Sequence, residues 1–137
     1  MSDREMSDLG PRYVAALAAK DTDHLIALFA SEVDFRAMTP GRFWEADSPE
    51  RIVHEVFYQW FEPNDVITGI DYVEAGRVAD RQRVDYRFHV RNDDGPFLVE
   101  QRVYFDLDDA GLICHMRVIC SGYQPADEPD SSAEGGL

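Results

Sequence analysis

Basic residues are scarce in this chain: 13 lysines and arginines stand against 27 aspartates and glutamates, a formal net charge of −14 over 137 residues. A potential of that sign repels phosphate backbones and anionic lipid, which excludes nucleic acid and membrane surfaces as partners. Long apolar runs are missing as well. No window approaches the roughly 18 to 20 apolar residues that span a bilayer. Met1 to Gly10 is polar and acidic where a signal peptide would be basic and then apolar, so a cytoplasmic location is expected. Cysteine is limited to Cys114 and Cys120, six residues apart in one strand-like run. At about 3.3 Å per residue they stand roughly 20 Å apart, beyond the about 4.4 to 6.8 Å Cα spacing of a disulfide, and both are expected to be reduced. His24, His89 and His115 show no metal-ligand spacing, and no pair of Cys or His sits in a zinc pattern. Neither a metal nor a cofactor is implied.

What is present is a core. Apolar residues make up 45% of the chain, enough for one compact domain that buries about two-thirds of its unfolded surface. That domain is expected over residues 1–124. The segment 125–137, rich in Pro, Asp, Glu, Ser and Gly without periodicity, reads as a disordered acidic tail.

Tyr13, Val14, Leu17 and Ala18 recur at helical spacing behind Gly10-Pro11, which predicts a first helix from about Asp8 or Pro11 to Ala19. Asp21 and Thr22 offer capping oxygens to a second helix whose stripe, Leu25, Ile26, Leu28 and Phe29, ends near Ser31. Val33 to Ala37 alternates as a half-buried strand that Thr39-Pro40-Gly41 breaks, with a short strand resuming at Arg42 to Glu45. Ser48-Pro49-Glu50 opens a third helix with its apolar face on Ile52, Val53, Val56, Phe57, Trp60 and Phe61. From Val66 the period changes to two. Four runs, Val66 to Ala79, Arg81 to Asn92, Phe97 to Leu107 and Leu112 to Ser121, are separated by turn clusters and predict an antiparallel meander.

Alternation then assigns faces. Val84, Tyr86, Phe88 and Val90 look inward, with Arg83, Asp85, Arg87, His89 and Arg91 outward. The next strand sends Val99, Gln101, Val103 and Phe105 inward, and Glu100, Arg102, Tyr104 and Asp106 outward. The last sends Cys114, Met116, Val118 and Cys120 inward, and His115, Arg117 and Ile119 outward, with Ile113 at odds with its start.

Arg12-Tyr13-Val14, Asp21, Leu28-Phe29-Ala30, Ser48-Pro49-Glu50-Arg51-Ile52 and Gly111-Leu112-Ile113 stand in an order of elements that resembles the nuclear transport factor 2-like superfamily over about Gly10 to Tyr123. That superfamily includes ketosteroid isomerases, SnoaL-like polyketide cyclases and limonene epoxide hydrolases. The resemblance implies an α+β cone, three helices packed on a strongly curved, mostly antiparallel sheet. In the isomerases a helix-1 Tyr and two Asp act on the substrate. Tyr13 matches the first, but the Asp positions fall on Ala37 and Val103, which neither take nor give a proton. The epoxide hydrolase pattern fails too, because Asp85 looks outward and its expected partner in the last strand is Val118.

The inward residues Tyr13, Trp44, Tyr58, Tyr86, Phe88, Gln101, Val103, Met116, Val118 and Cys120 therefore read as the lining of a mostly apolar pocket for a small hydrophobic or aromatic ligand. Core packing is the alternative for each of them. Gln101, an amide among apolar neighbours, either bonds a ligand or another inward group such as Tyr13. Tyr13, His54 and Tyr58 are the catalytic candidates. His54 and Tyr58 lie four apart on one helix, a spacing for proton transfer or for a surface pair. Cys120 reads as packing rather than as a nucleophile. Arg87, His89, Arg102, Tyr104 and Arg117 make a mixed outer face suited to a homodimer. The functional expectation is a small-molecule module, with isomerase, cyclase or dehydratase chemistry open to it without a cofactor, or else a non-catalytic interaction protein.

Overall fold

A computed structural model describes residues 3–126 of the chain, with side chains described from Asp8 onward. Helix α1 (Asp3–Ala19) leads into α2 (Thr22–Ala27), then strands β1 (Phe29–Thr39) and β2 (Arg42–Ala46). A third helical segment, α3 (residues 49–60), precedes β3 (Val66–Val78), β4 (Arg81–Asn92), β5 (Gly95–Leu107), β6 (Ile113–Cys120) and the two-residue β7 (Gln124–Pro125). The sheet runs β2-β1-β6-β5-β4-β3, with β7 paired to β5. Among the described strands β1 and β6 pair parallel, and the other pairs are antiparallel. The result is an α+β domain of three helices on a mixed, open sheet. Among the described residues no helix is long and apolar enough to cross a membrane.

Capping chemistry sets the shorter helices. The Asp21 side chain accepts from His24 N at 3.2 Å, and Ser48 Oγ accepts from Arg51 N at 3.4 Å with Pro49 in the first turn. Between Ile52 and Phe57, α3 widens to a π-helix. Its buried face, Ile52, Val53, Val56 and Phe57, then meets the sheet with Trp60 and Phe61 behind. Lys20, in the left-handed region at φ 54°, closes α1 and donates through Nζ to the carbonyls of Glu62 and Asp65 at 2.7 Å each. The ends of α1 and α3 are tied together there. At Gly10 an added Cβ would stand 3.1 Å from Val84 Cβ, so α1 approaches β4 closely there and Val84 would have to give by a few tenths of an ångström to admit a side chain.

The period-two parity holds. Val84, Tyr86, Phe88, Val90, Val99, Gln101, Val103 and Phe105 are all 1% exposed or less, facing the helices.

Several boundaries and one register differ from the sequence expectation. Helix α1 begins at Asp3, so Pro11 lies inside it and gives up one backbone bond instead of opening it. Helix α2 ends at Ala27, and Phe29 belongs to β1, because the Leu28 carbonyl accepts from Ile113 N at 2.9 Å and Phe29 aligns with Ile113 in the parallel ladder. The β5–β6 register slips between Asp106–His115 and Leu107–Ile113, leaving Cys114 as an extra residue. Ile113 is consequently the inward, fully buried side chain, and Cys114 is turned out of the core. Finally, the expected tail starts as structure: Gln124 and Pro125 align with Leu98 and Phe97, and Ala126 N donates to Pro96 O at 3.1 Å. The rest of that tail, residues 127–137, lies outside the described residues.

Candidate functional site

The interior is filled by aromatic packing. Phe57 is the hub, with ring centroids 6.0 Å from Tyr13, 6.3 Å from Phe29, 5.8 Å from Phe35 and 5.6 Å from Trp60. Tyr13, Tyr86, Phe88, Gln101, Val103, Met116 and Val118, expected to line an open pocket, are 2% exposed or less and pack together. Ala37 pairs with Trp44 and Val118, and Val103 with Val84 and Val118, so an apolar contact occupies each place where an isomerase would carry Asp.

One polar thread runs through this packing. The Tyr13 and Tyr86 hydroxyls are 3.2 Å apart, and Tyr86 Oη donates to Gln101 Oε1. Burial raises both phenol pKa values well above the ordinary tyrosine range, so both stay protonated at neutral pH. They are donors, and neither is a general base. Gln101 Nε2 is buried without a hydrogen-bond partner among the described residues. Cys120, aligned with Gln101 across the ladder, approaches the amide closely enough for the contact to lower its thiol pKa, without completing a hydrogen bond to Nε2. Burial outweighs that contact and raises the thiol pKa, so Cys120 is protonated and unreactive at neutral pH.

A cavity of about 200 Å³ opens beside this thread, lined by Thr39, Gln59, Trp60, Phe61, Val99, Cys120, Gly122 and Tyr123. Tyr123 closes one side. Its hydroxyl donates to Trp60 O at 2.8 Å, and its ring packs against Phe97 and Phe61 at 5.5 and 6.2 Å. Trp60 Nε1 is a second buried donor without a partner among the described residues. Trp44, half-buried, lies behind it, its ring edge-on to Trp60 at 6.0 Å and its Nε1 bonded to Thr39 Oγ1 at 2.9 Å. Gly122, at φ +76° with Pro40 Cγ 2.8 Å from where a Cβ would sit, permits the chain to turn over the mouth.

The structure therefore joins Tyr13, Tyr86 and Gln101, with Cys120 and Trp44 near the mouth. Tyr58 is not among them: its hydroxyl turns to Thr22 Oγ1 at 2.5 Å and Lys20 O at 3.2 Å, away from Tyr13. His54 sits edge-on to Tyr58 at 5.8 Å from an exposed position, the surface pair of the two alternatives. Of the cavity's lining, Cys120 alone belongs to the expected set; Thr39, Gln59, Trp60, Phe61, Val99, Gly122 and Tyr123 do not. The aromatic Tyr123 after the Gly122 turn was the available sequence signal for them.

Two larger depressions, of about 720 and 730 Å³, lie on the outer surface. Every arginine that lines them is already paired, Arg51 with Asp47 and Glu55, Arg36 and Arg117 with Asp34, and Arg81 with Asp106. Asp85 is on the outer face as expected, yet its side chain is 8% exposed beneath Arg83 and Arg102, which both donate to it. Among the described residues no group of three or more His, Cys, Asp or Glu is placed to hold a metal ion.

The chain matches no family model and no curated protein. Its similarity to solved structures is extensive. A candidate isomerase from Bacillus subtilis superposes with a TM-score of 0.71 at 14% identity, over 100% of this chain and 98% of that one. A hypothetical protein with a ketosteroid isomerase-like fold from Catenulispora acidiphila DSM 44928, in complex with trimethylamine, gives 0.66 at 15% identity, over 82% and 85%. An LEH-like epoxide hydrolase from M. tuberculosis gives 0.64 at 13% identity, over 86% and 84%. The chain has the nuclear transport factor 2-like fold.

Proposed function

We propose that the protein binds a small, uncharged, hydrophobic molecule in the cavity behind Tyr123. The observation that carries this reading is the lining itself: three aromatic rings, Val99 and the Cys120 thiol around about 200 Å³, with no carboxylate, guanidinium or imidazole among the described lining residues. A charged ligand would lose its hydration there without a counter-charge. Isomerase, cyclase or dehydratase chemistry at this site would rest on hydrogen-bond donation from the Tyr13–Tyr86–Gln101 thread, because no described group next to it is a base. Thermal shift tests the reading. Toluene and cyclohexanone are expected to raise the melting temperature, with about 2.7 kcal/mol of stabilisation at a hundredfold excess over Kd. Benzoate and tetramethylammonium, the latter a mimic of the amine bound by the Catenulispora protein, should leave it unchanged. A shift with the charged probes alone, or with none of the four, contradicts the proposal.

We also infer that a second copy of the chain covers the outer sheet face. Cross-strand alignment sets Phe43, Met38, Ile119, Arg102 and Asp85 in one row across β2, β1, β6, β5 and β4. Phe43, Met38 and Ile119 are 78%, 44% and 51% exposed. The next row, Glu45, Arg36, Arg117, Tyr104 and Arg83, carries both signs. An exposed apolar stripe beside Arg- and Tyr-rich positions is self-complementary under a two-fold axis. Arg87 and His89, both bonded to Asp71, extend the face. Light scattering should give a dimer mass for the native chain and a monomer mass for Ile119→Asp. A native monomer at high micromolar concentration would refute this interface.

A further inference from the structure

We propose that the Tyr13–Tyr86–Gln101 thread presents the inner end of the cavity as a hydrogen-bond donor, so that the site selects ligands carrying a carbonyl oxygen, with Tyr86 as the positioning residue. This rests on the cavity behind Tyr123 being the ligand site, and it adds the polarity that the apolar lining does not supply.

The direction of the thread follows from counting protons. Gln101 Oε1 carries no hydrogen, so Tyr86 must donate to it. A phenol has a single proton. Tyr86 has committed its own, and its oxygen can only accept from Tyr13. Proton donation thus runs from Tyr13 through Tyr86 to Gln101, and the next link in the same direction is Gln101 Nε2, which is buried and without a partner among the described residues. Hydrogen bonds in such a chain polarise one another, so the terminal N–H is a better donor than an isolated amide. Burial supports the arrangement by keeping both phenols protonated.

The second unpartnered donor has the same sign. Trp60 borders the cavity, and its indole nitrogen can only donate. Gln101 stands directly across the β5–β6 ladder from Cys120, another lining residue. Among the described residues, the unpartnered buried atoms of Trp60, which lines the cavity, and of Gln101, across the ladder from a lining residue, are therefore both N–H groups. A carbonyl oxygen, with two lone pairs, can satisfy either. A hydrocarbon satisfies neither, and a donor-only ligand leaves its own hydrogen unpaired as well. Tyr86 acts through Gln101: by engaging Oε1 it holds the amide with Nε2 as the free end, and without the phenol the amide is able to turn over.

Cyclohexanone and methylenecyclohexane differ at the exocyclic atom alone and separate the two levels of the argument. The native protein should bind the ketone about tenfold more tightly than the hydrocarbon, the value of one neutral hydrogen bond. The ¹³C resonance of the bound carbonyl should move downfield. Gln101→Met, which keeps the volume, should narrow the preference by weakening the ketone alone and should shrink the carbonyl shift, the remainder being what the Trp60 indole supplies. Tyr86→Phe should retain Gln101 but lower both preference and shift, giving a second test if Gln101→Met does not fold. Equal affinities in the native protein, or a preference and carbonyl shift left unchanged by Gln101→Met, overturn the donor proposal while leaving the cavity as the binding site. If neither molecule binds, both readings fall.

Discussion

Replacing Phe57 by Ala is expected to lower stability by about 3 to 5 kcal/mol, the usual cost of deleting a fully buried aromatic ring. Phe57 touches Tyr13, Phe29, Phe35 and Trp60 at once and is wholly buried, so the void would open where α1, α3 and β1 meet. Surrounding side chains on three different elements cannot all close over it. Since domains of this size are stabilised by only about 5 to 15 kcal/mol, the variant should unfold at a markedly lower urea concentration. Phe43→Ala supplies the contrast. That ring is 78% exposed, and its removal should change monomer stability by less than about 0.5 kcal/mol. A Phe57→Ala cost near that of Phe43→Ala would show that the helices are not packed on the sheet through this ring.

Alkaline pH should produce the second large effect. In the unfolded chain Tyr13 and Tyr86 ionise near the ordinary value of 10.0, whereas burial raises both in the fold. Above that pH the unfolded state has released protons the folded state still holds, so stability falls as pH rises. Below it, both states are protonated and the contribution is fully present. The expected slope is about 1.4 kcal/mol per pH unit for each of these two tyrosines, beginning above pH 10. Tyr123 is also raised, chiefly by burial with Asp65 adding to it, and steepens the loss further. Urea midpoints from pH 8 to 12 in about six steps, read with phenolate absorbance, check this. Tyr86→Phe should make the slope shallower and leave the neutral-pH unfolding two-state. Phenolate absorbance that appears in full before unfolding would contradict the buried thread.

Much of this architecture was legible because β4 and β5 alternate without interruption. Once Val84, Tyr86, Phe88 and Val90 point one way, Gln101 must share their side through its alignment with Tyr86, and the conflict of a buried amide is visible from sequence. The errors occur where register or chain direction departs from simple period. Cys114 is displaced by a bulge, and a bulge leaves no mark on composition. Phe29 fits a helix stripe equally well and is claimed for β1 by its parallel alignment with Ile113, 84 positions away. Tyr58 has the right helix for the pocket but the hydroxyl reaches Thr22 instead, a choice made by the α1–α2 turn. The cavity was the least legible feature. Its walls come from the end of β1, the end of α3, the middle of β5 and the turn after β6, and no local pattern joins those segments. A filled interior also changes the reading of the fold: aromatic packing around Phe57 occupies the centre, and the polar thread runs beside the cavity rather than through an open cone.

The two tryptophans offer the most direct test of where a ligand sits. Their indole N–H groups give two resolved signals, one from Trp44, already bonded to Thr39 Oγ1, and one from Trp60, without a partner among the described residues. In an ¹⁵N titration with cyclohexanone, the Trp60 indole proton should move downfield by more than that of Trp44 and saturate along the same curve as the rise in melting temperature. A rise in melting temperature that leaves the Trp60 signal in place would put the ligand elsewhere on the molecule.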